Sequence, residues 1–278
     1  MGGQYTSYVA WPGDRVVTSV VATRAGELAP AGFWFPIVGR LPYKGFFDPA
    51  RAEREAAALR AEGYDVCVSP VRAFSTLGWF ADPLTAPLLA LAPGRLVETL
   101  LHELVHASVF LPGDARLSEG FATFVGQEAS VAFFARHEGA ASAARRLAEV
   151  RDQRAIAARL EALRDALAAL YAESPPARVS ERRAALVART RRELAALSLA
   201  SADPEAVARN ARTSDACLAL AGTYAADLPR YDCALARQRG DLARFVADWR
   251  AASERGEAAL AAQFSALSAR SCRPAAAP

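Results

Sequence analysis

Leu100-Leu101-His102-Glu103-Leu104-Val105-His106-Ala107-Ser108 is followed, after Leu111-Pro112-Gly113-Asp114, by Leu117-Ser118-Glu119-Gly120-Phe121-Ala122-Thr123. Pro93-Gly94 resets the chain before the first of these stretches, and the residues from about Arg95 to about Phe110 read as a strongly apolar helix. His102 and His106 stand four apart, so a helix places both imidazoles on one face, one turn apart. Two nitrogens so placed reach one ion at about 2.0–2.1 Å. Leu100, Leu101, Leu104, Val105, Val109 and Phe110 make the helix apolar nearly all round and predict that it is buried. Two histidines and a glutamate inside such a helix need a partner, and a divalent cation is a natural one. The chain holds only 3 histidines, and two of them are in this motif.

The pattern His102-Glu103-x-x-His106 is the HExxH arrangement of zinc peptidases, in which Glu103 addresses water on the metal rather than the metal itself. A catalytic zinc takes three protein ligands and keeps an open position. The third ligand is expected from a following element that turns back. A second helix is predicted from near Leu117 or Ser118 to about His137, with Ser118 a possible N-cap and Glu119 in the first turn. Two antiparallel helices joined by the Pro-Gly turn bring Glu119 beside the histidines. His137 and Glu128 compete for the role, but both lie farther along that helix. One zinc ion per chain is therefore the expected cofactor, held by His102, His106 and Glu119, with Glu103 as general base. Other divalent metals would suit the same donors.

Upstream, Arg15 to Ala22, Phe33 to Val38 and Tyr64 to Ser69 read as strands, being short and rich in β-branched and aromatic residues. Asp48-Pro49 opens a helix, as cap and first turn, that stops at Gly63. Phe74 to Phe80 is a further extended segment between Pro70 and Pro83, which fits the edge of a sheet. An edge strand pairs with an extended peptide through its main chain, so Ser75, Thr76, Leu77, Gly78 and Trp79 are candidate substrate-binding residues. The bland alternative makes Leu77, Trp79 and Phe80 core. Leu84 to Leu91 reads as a short helix.

Beyond Gly139, residues 140–172 and 178–199 are Ala/Arg/Glu/Leu-rich and helix-periodic, broken by Pro175-Pro176, so a helical hairpin is expected. Three shorter helices are expected from about Asp203, with Pro229 and Gly240 at the breaks. The expected division is a catalytic core over 1–139, a hairpin over 140–202, a C-terminal helical subdomain over 203–272 that completes the cleft, and a disordered tail over 273–278.

The net charge is +3, with basic residues interleaved with acidic ones, and no Lys/Arg block with aromatics points to nucleic acid. No run of about 18 apolar residues predicts a transmembrane helix. The N-terminal residues lack a charged-then-apolar leader pattern. None of the four cysteines forms a CxxC pair, and Cys217 and Cys233 could bridge two helices.

Ser118-Glu119-Gly120-Phe121-Ala122 resembles the Asn-Glu-Gly-Phe-Ala sentence of gluzincin-type zinc aminopeptidases, whose glutamate is the third metal ligand, although twelve residues between His106 and Glu119 is a shorter spacing than theirs. The chain is more closely similar to a bacterial family of predicted, often lipid-anchored aminopeptidases, through Ser75-Thr76-Leu77-Gly78-Trp79-Phe80, the HExxH motif and Glu119-Gly120-Phe121-Ala122-Thr123. Pro42 to Phe47, Asn210-Ala211, Tyr224 and Gly240 to Phe245 extend the likeness along most of the chain. Gly120 departs from the family's usual serine. The resemblance implies an α+β fold with a zincin-like core, meaning a small mixed sheet, the HExxH helix and the glutamate helix, with a mainly helical C-terminal part. It implies peptide or protein substrates and a bacterial cell-envelope or periplasmic setting. It also implies Tyr224 as a donor to the oxyanion, against the alternative of a packing tyrosine. Asn210 is a candidate for orienting a ligand from behind, or equally a helix cap. The competing readings are a noncatalytic zinc-stabilised scaffold whose hairpin binds a partner protein, and a metallohydrolase of non-peptide substrates.

Overall fold

The computed structural model describes residues 3–35, 39–73, 81–109, 111, 115–173, 176–225 and 227–268. In chain order the elements are β1 (Tyr8–Val9), β2 (Val17–Arg24), β3 (Phe33–Phe35), β4 (Gly39–Leu41), β5 (Lys44–Phe46), α1 (Pro49–Ala61), β6 (Tyr64–Val71), β7 (Leu84–Thr85), α2 (Ala86–Leu89), α3 (Pro93–Ser108), α4 (Ala115–His137), α5 (Ala140–Glu173), α6 (Pro176–Ala195), α7 (Pro204–Asn210), α8 (Asp215–Ala225), α9 (Leu228–Arg237), α10 (Leu242–Glu254) and α11 (Glu257–Ser268). The fold is mixed α and β, mostly helical, with small sheets.

The chain forms two compact units that interleave in sequence: residues 1–10, 75–146 and 226–278 make one, and residues 11–74 and 147–225 make the other. In the second unit, β2 is the centre of a three-stranded antiparallel sheet in the order β5-β2-β6. The β-branched run of β2 is buried on both faces. Val20 and Ala22 pack with Ala52, Ala56 and Leu59 of α1, while Val21 and Cys67 pack with Ala216 of α8. A strand covered on both faces reads as a continuous apolar run rather than an alternation. Asp48 caps α1 by accepting from the Ala50 N–H, and Gly63 ends it at a φ of 86°. Leu163, Leu167 and Leu170 of α5 form a further core with Leu218 of α8.

In the first unit, α3 and α4 pack against each other, and α4 turns its aromatic face to α9 and α10. Phe121 and Phe124 meet Tyr231, Phe245 and Trp249 at ring-centroid distances of 5.0–6.0 Å. Among the described residues, the strands of this unit are β1 and β7, paired in parallel over two residues.

Three expectations are corrected. Leu84-Thr85 pairs as a strand and leaves only Ala86–Leu89 helical. The segment from Pro204 holds five helices rather than three. Gly240, at a φ of 78°, and Pro229, in the first turn of α9 where its missing N–H costs nothing, fall at breaks as expected, and Gly256 supplies a further break that composition hid. Cys217 bonds Cys67 on β6, so it does not bridge to Cys233, which is itself disulfide-bonded. A cysteine pair distant in sequence is invisible to spacing arguments. Residues 75–79 and the tail lie outside the described residues, as do most of the Pro-Gly turn and Pro175. Among the described residues, no helix is long and apolar enough to cross a membrane.

Candidate metal centre

Two polar stripes meet where α3 and α4 pack. On α3, Glu98, His102 and His106 follow at intervals of four. On α4, Glu119, Thr123, Gly126 and Ser130 follow one face at intervals of three and four. The helices run antiparallel, so each turn back along α3 meets a turn forward along α4. His106 faces Ser118 and Glu119, His102 faces Glu119 and Thr123, and Glu98 faces Gly126.

At one end of this seam the ligand atoms converge. His102 Nε2 lies 3.1 Å from Glu119 Oε2 and 3.1 Å from His106 Nε2, and His106 Nε2 lies 3.4 Å from the same carboxylate oxygen. These three residues are the group of potential ligands found among the described residues. A tetrahedral site with bonds of 2.0–2.1 Å has edges of about 3.3–3.4 Å, so the observed spacing fits the donor set to one small divalent ion. The side chains keep 14% (His102), 8% (His106) and 17% (Glu119) of their exposure, so the cluster is recessed but reachable.

Burial alone would push the His106 imidazole down, but the hydrogen bond and charge of Glu119, with the charge of Glu103, outweigh it and hold the group above its ordinary value. Burial likewise pushes Glu119 up, yet hydrogen bonds and charge from the two histidines hold its carboxyl at about 2. The protein thus keeps Glu119 ionised, as a ligand must be.

The far end of the seam is structural. Arg146, at the end of the first turns of α5, is almost fully buried and ion-pairs with buried Glu98. It also donates to Ser130 Oγ at 2.8 Å, and Arg95 holds the other Glu98 oxygen at 2.7 Å. At Gly126 a Cβ would stand 3.0 Å from the Glu98 carbonyl oxygen and 3.2 Å from both the backbone nitrogen and the Cβ of His102. Gly126 therefore lets α4 reach the backbone of the first histidine. A lone glycine inside a helix pattern costs about 1 kcal/mol against alanine, and that cost is the one trace of this contact in the sequence.

The start of α4 is held from α9. Tyr231 OH donates to the Leu117 carbonyl at 3.3 Å, and Arg116 donates to buried Asp227 at 3.0 Å. Ser118 is the fourth residue of α4 and not its N-cap, because the helix starts earlier, at Ala115. The helix α3 is less buried than its composition suggests: Leu100, Leu101 and Leu104 are half-buried, while Glu98, Val105 and His106 are buried. Glu103 sits half-buried on α3. His137 lies at the far end of α4, its ring tilted against Phe133, and Glu128 lies midway along it; neither joins the cluster. Tyr224 on α8 and exposed Asn210 at the end of α7 belong to the second unit.

The family model described as Putative aminopeptidase matches residues 2–262. The chain belongs to this family. Its description suggests peptidase activity, hence a hydrolase with a peptide substrate. The search of curated proteins and the search of solved structures return no match. The match spans residues of both units.

Proposed function

We propose that the protein is a zinc-dependent aminopeptidase of HExxH, gluzincin-like type, with His102, His106 and Glu119 as the metal ligands and Glu103 as the general base. The observation that carries the reading is the convergence of three ligand atoms at 3.1–3.4 Å, from an HExxH helix and the glutamate of the next helix. The family supports a peptide as substrate. The remaining exposure of His102 and Glu119 favours a catalytic site over a closed structural one.

A zinc ion bound here supplies Lewis acidity toward a water and the scissile carbonyl. Glu103 takes the proton of the attacking water and passes it to the leaving amine. Glu119 and the two histidines would hold the donor geometry. The zincin-like core belongs to the same reading: α3 and α4 are its two helices, and Ser75 to Trp79 are carried from the sequence alone as substrate-binding residues. The family resemblance adds Tyr224 as an oxyanion donor and Asn210 as an orienting residue; loss of turnover in Tyr224→Phe with metal content held would support the former. The disulfides support an oxidising setting such as the periplasm.

The test is metal content and peptide hydrolysis of the wild type, Glu119→Ala and Glu103→Ala. The expected result is about one zinc per wild-type chain, lost in Glu119→Ala, and kept without turnover in Glu103→Ala. A wild type that takes up no divalent metal overturns the reading.

A further inference from the structure

We propose that Ser118 and Thr123 are positioning residues that set the orientation and tautomer of the two histidines; the inference rests on the metal-site reading above. Each imidazole presents Nε2 to the cluster. The opposite nitrogens face hydroxyls: Ser118 Oγ lies 3.5 Å from His106 Nδ1, and Thr123 Oγ1 lies 3.5 Å from His102 Nδ1. Both hydroxyls come from α4, the helix that supplies Glu119, one residue before it and four residues after it.

The chemistry requires such a partner. An imidazole that offers the Nε2 lone pair to a metal carries its proton on Nδ1, and that N–H must find an acceptor when the ring is largely buried. Metal-ligating histidines usually donate this proton to a carboxylate, a backbone carbonyl or water. Here a neutral hydroxyl on the packed helix stands at that position for each ring. A helical Ser or Thr hydroxyl donates to the carbonyl one turn back and still has a lone pair free to accept. The antiparallel register makes the arrangement a property of the helix pair. With Glu119 placed between the histidines, residues one before and four after it fall beside the two rings. A carboxylate in either place would add negative charge to a cluster that already holds Glu119 and Glu103, whereas a hydroxyl orients without charge.

The hydroxyls are therefore worth metal affinity. Zinc affinity is read by chelator competition for the wild type, Ser118→Ala, Thr123→Val and Thr123→Ser, with thermal melting of each metal-free protein as control. Removal of either hydroxyl is expected to weaken zinc binding about 10–100-fold without lowering the metal-free melting temperature, while Thr123→Ser, which keeps the oxygen, restores most of it. In the zinc-loaded wild type, ¹⁵N-resolved spectra should show the Nδ1–H protons of His102 and His106 protected from exchange, and Thr123→Val should remove that protection for His102 alone. Wild-type affinity in Thr123→Val and Ser118→Ala overturns the proposal while leaving the metal site intact. Affinity lost equally in Thr123→Ser and Thr123→Val also overturns it, because packing and not the hydroxyl would then be responsible. A wild type that binds no zinc overturns both readings together.

Discussion

His106 and Glu119 hold opposite protonation tendencies: Glu119 raises His106 against its burial, and the two histidines, His102 first, lower Glu119 against its own burial. In the metal-free protein the raised His106 contributes stability that is fully present below its ordinary 6.5 and is lost as pH rises through the raised value. The depressed Glu119 contributes stability present above its ordinary 4.5 and lost as pH falls toward about 2. The charged pair is thus complete between those two ordinary values. Zinc competes with the His106 proton, so zinc affinity should fall as the solution is acidified through the raised value, with proton release on binding. Replacing Glu119 by Gln removes the main cause of the upward shift and leaves burial. NMR titration of metal-free Glu119→Gln should therefore place His106 below its wild-type value; an unmoved titration would mean that Glu119 does not control it. Glu98 and Arg146 make a different kind of pair, buried and one turn along α3 from His102. Truncating one partner of a buried pair costs about 3–5 kcal/mol. Arg95 still holds one Glu98 oxygen in Arg146→Met, so the lower end is expected, about 3 kcal/mol. The double variant Glu98→Leu with Arg146→Met should recover much of the loss in urea unfolding, because no charge is then left buried alone.

The helix pair α3–α4 decides how much of the site could be seen in advance. Histidines four apart and a glutamate just after a Pro-Gly turn were legible because each is a local pattern on a helix whose face geometry is fixed. The roles of Gly126, Ser130 and Arg146 were not legible, since a helix-helix register cannot be read from one helix at a time. The uniform burial expected for α3 failed for the same reason: composition counts apolar residues, whereas the packed face proved to be the polar seam with Val105. Ser118 shows the limit at a helix end, where a good capping residue became an internal one once the helix started three residues earlier. Gly126→Ala tests the seam itself. Helix propensity alone favours alanine by roughly 0.5–1 kcal/mol. Against that, the new Cβ would meet two backbone atoms and a Cβ at 3.0–3.2 Å, and overpacking costs about 1–3 kcal/mol. The clash is expected to win, because rigid backbone gives less than a side chain does. The variant should melt lower than wild type and bind zinc more weakly, since His102 is one of the atoms' owners. A higher melting temperature with unchanged zinc affinity would show that the helices move apart freely.

At the scale of the whole chain, the feature least visible in the sequence is that each unit is assembled from separated segments. Gly139, where the composition changes, lies between α4 and α5, whereas the two compact units divide within α5, between Arg146 and Leu147. The unit containing the three-stranded sheet draws residues 11–74 and 147–225 together, and forming it requires closing a long loop. The Cys67–Cys217 disulfide joins those two segments, from β6 to α8, across 150 residues. Constraining a loop of that length removes unfolded-state entropy equivalent to about 5 kcal/mol in the chain-entropy treatment, and measured losses on deleting native disulfides run at about 2–5 kcal/mol. Cys67 is buried beside Val21 and Ala216, while Cys217 is partly buried. The Cys67→Ala, Cys217→Ala double variant should therefore lose about 2–5 kcal/mol in urea unfolding and refold more slowly. Its zinc affinity should stay close to wild type, because the three ligands belong to the other unit. A loss below about 1 kcal/mol would mean that the sheet and α8 hold the two segments together without the covalent link. A large fall in zinc affinity would instead mean that the segment-joining bond and the α3–α4 seam are energetically one system.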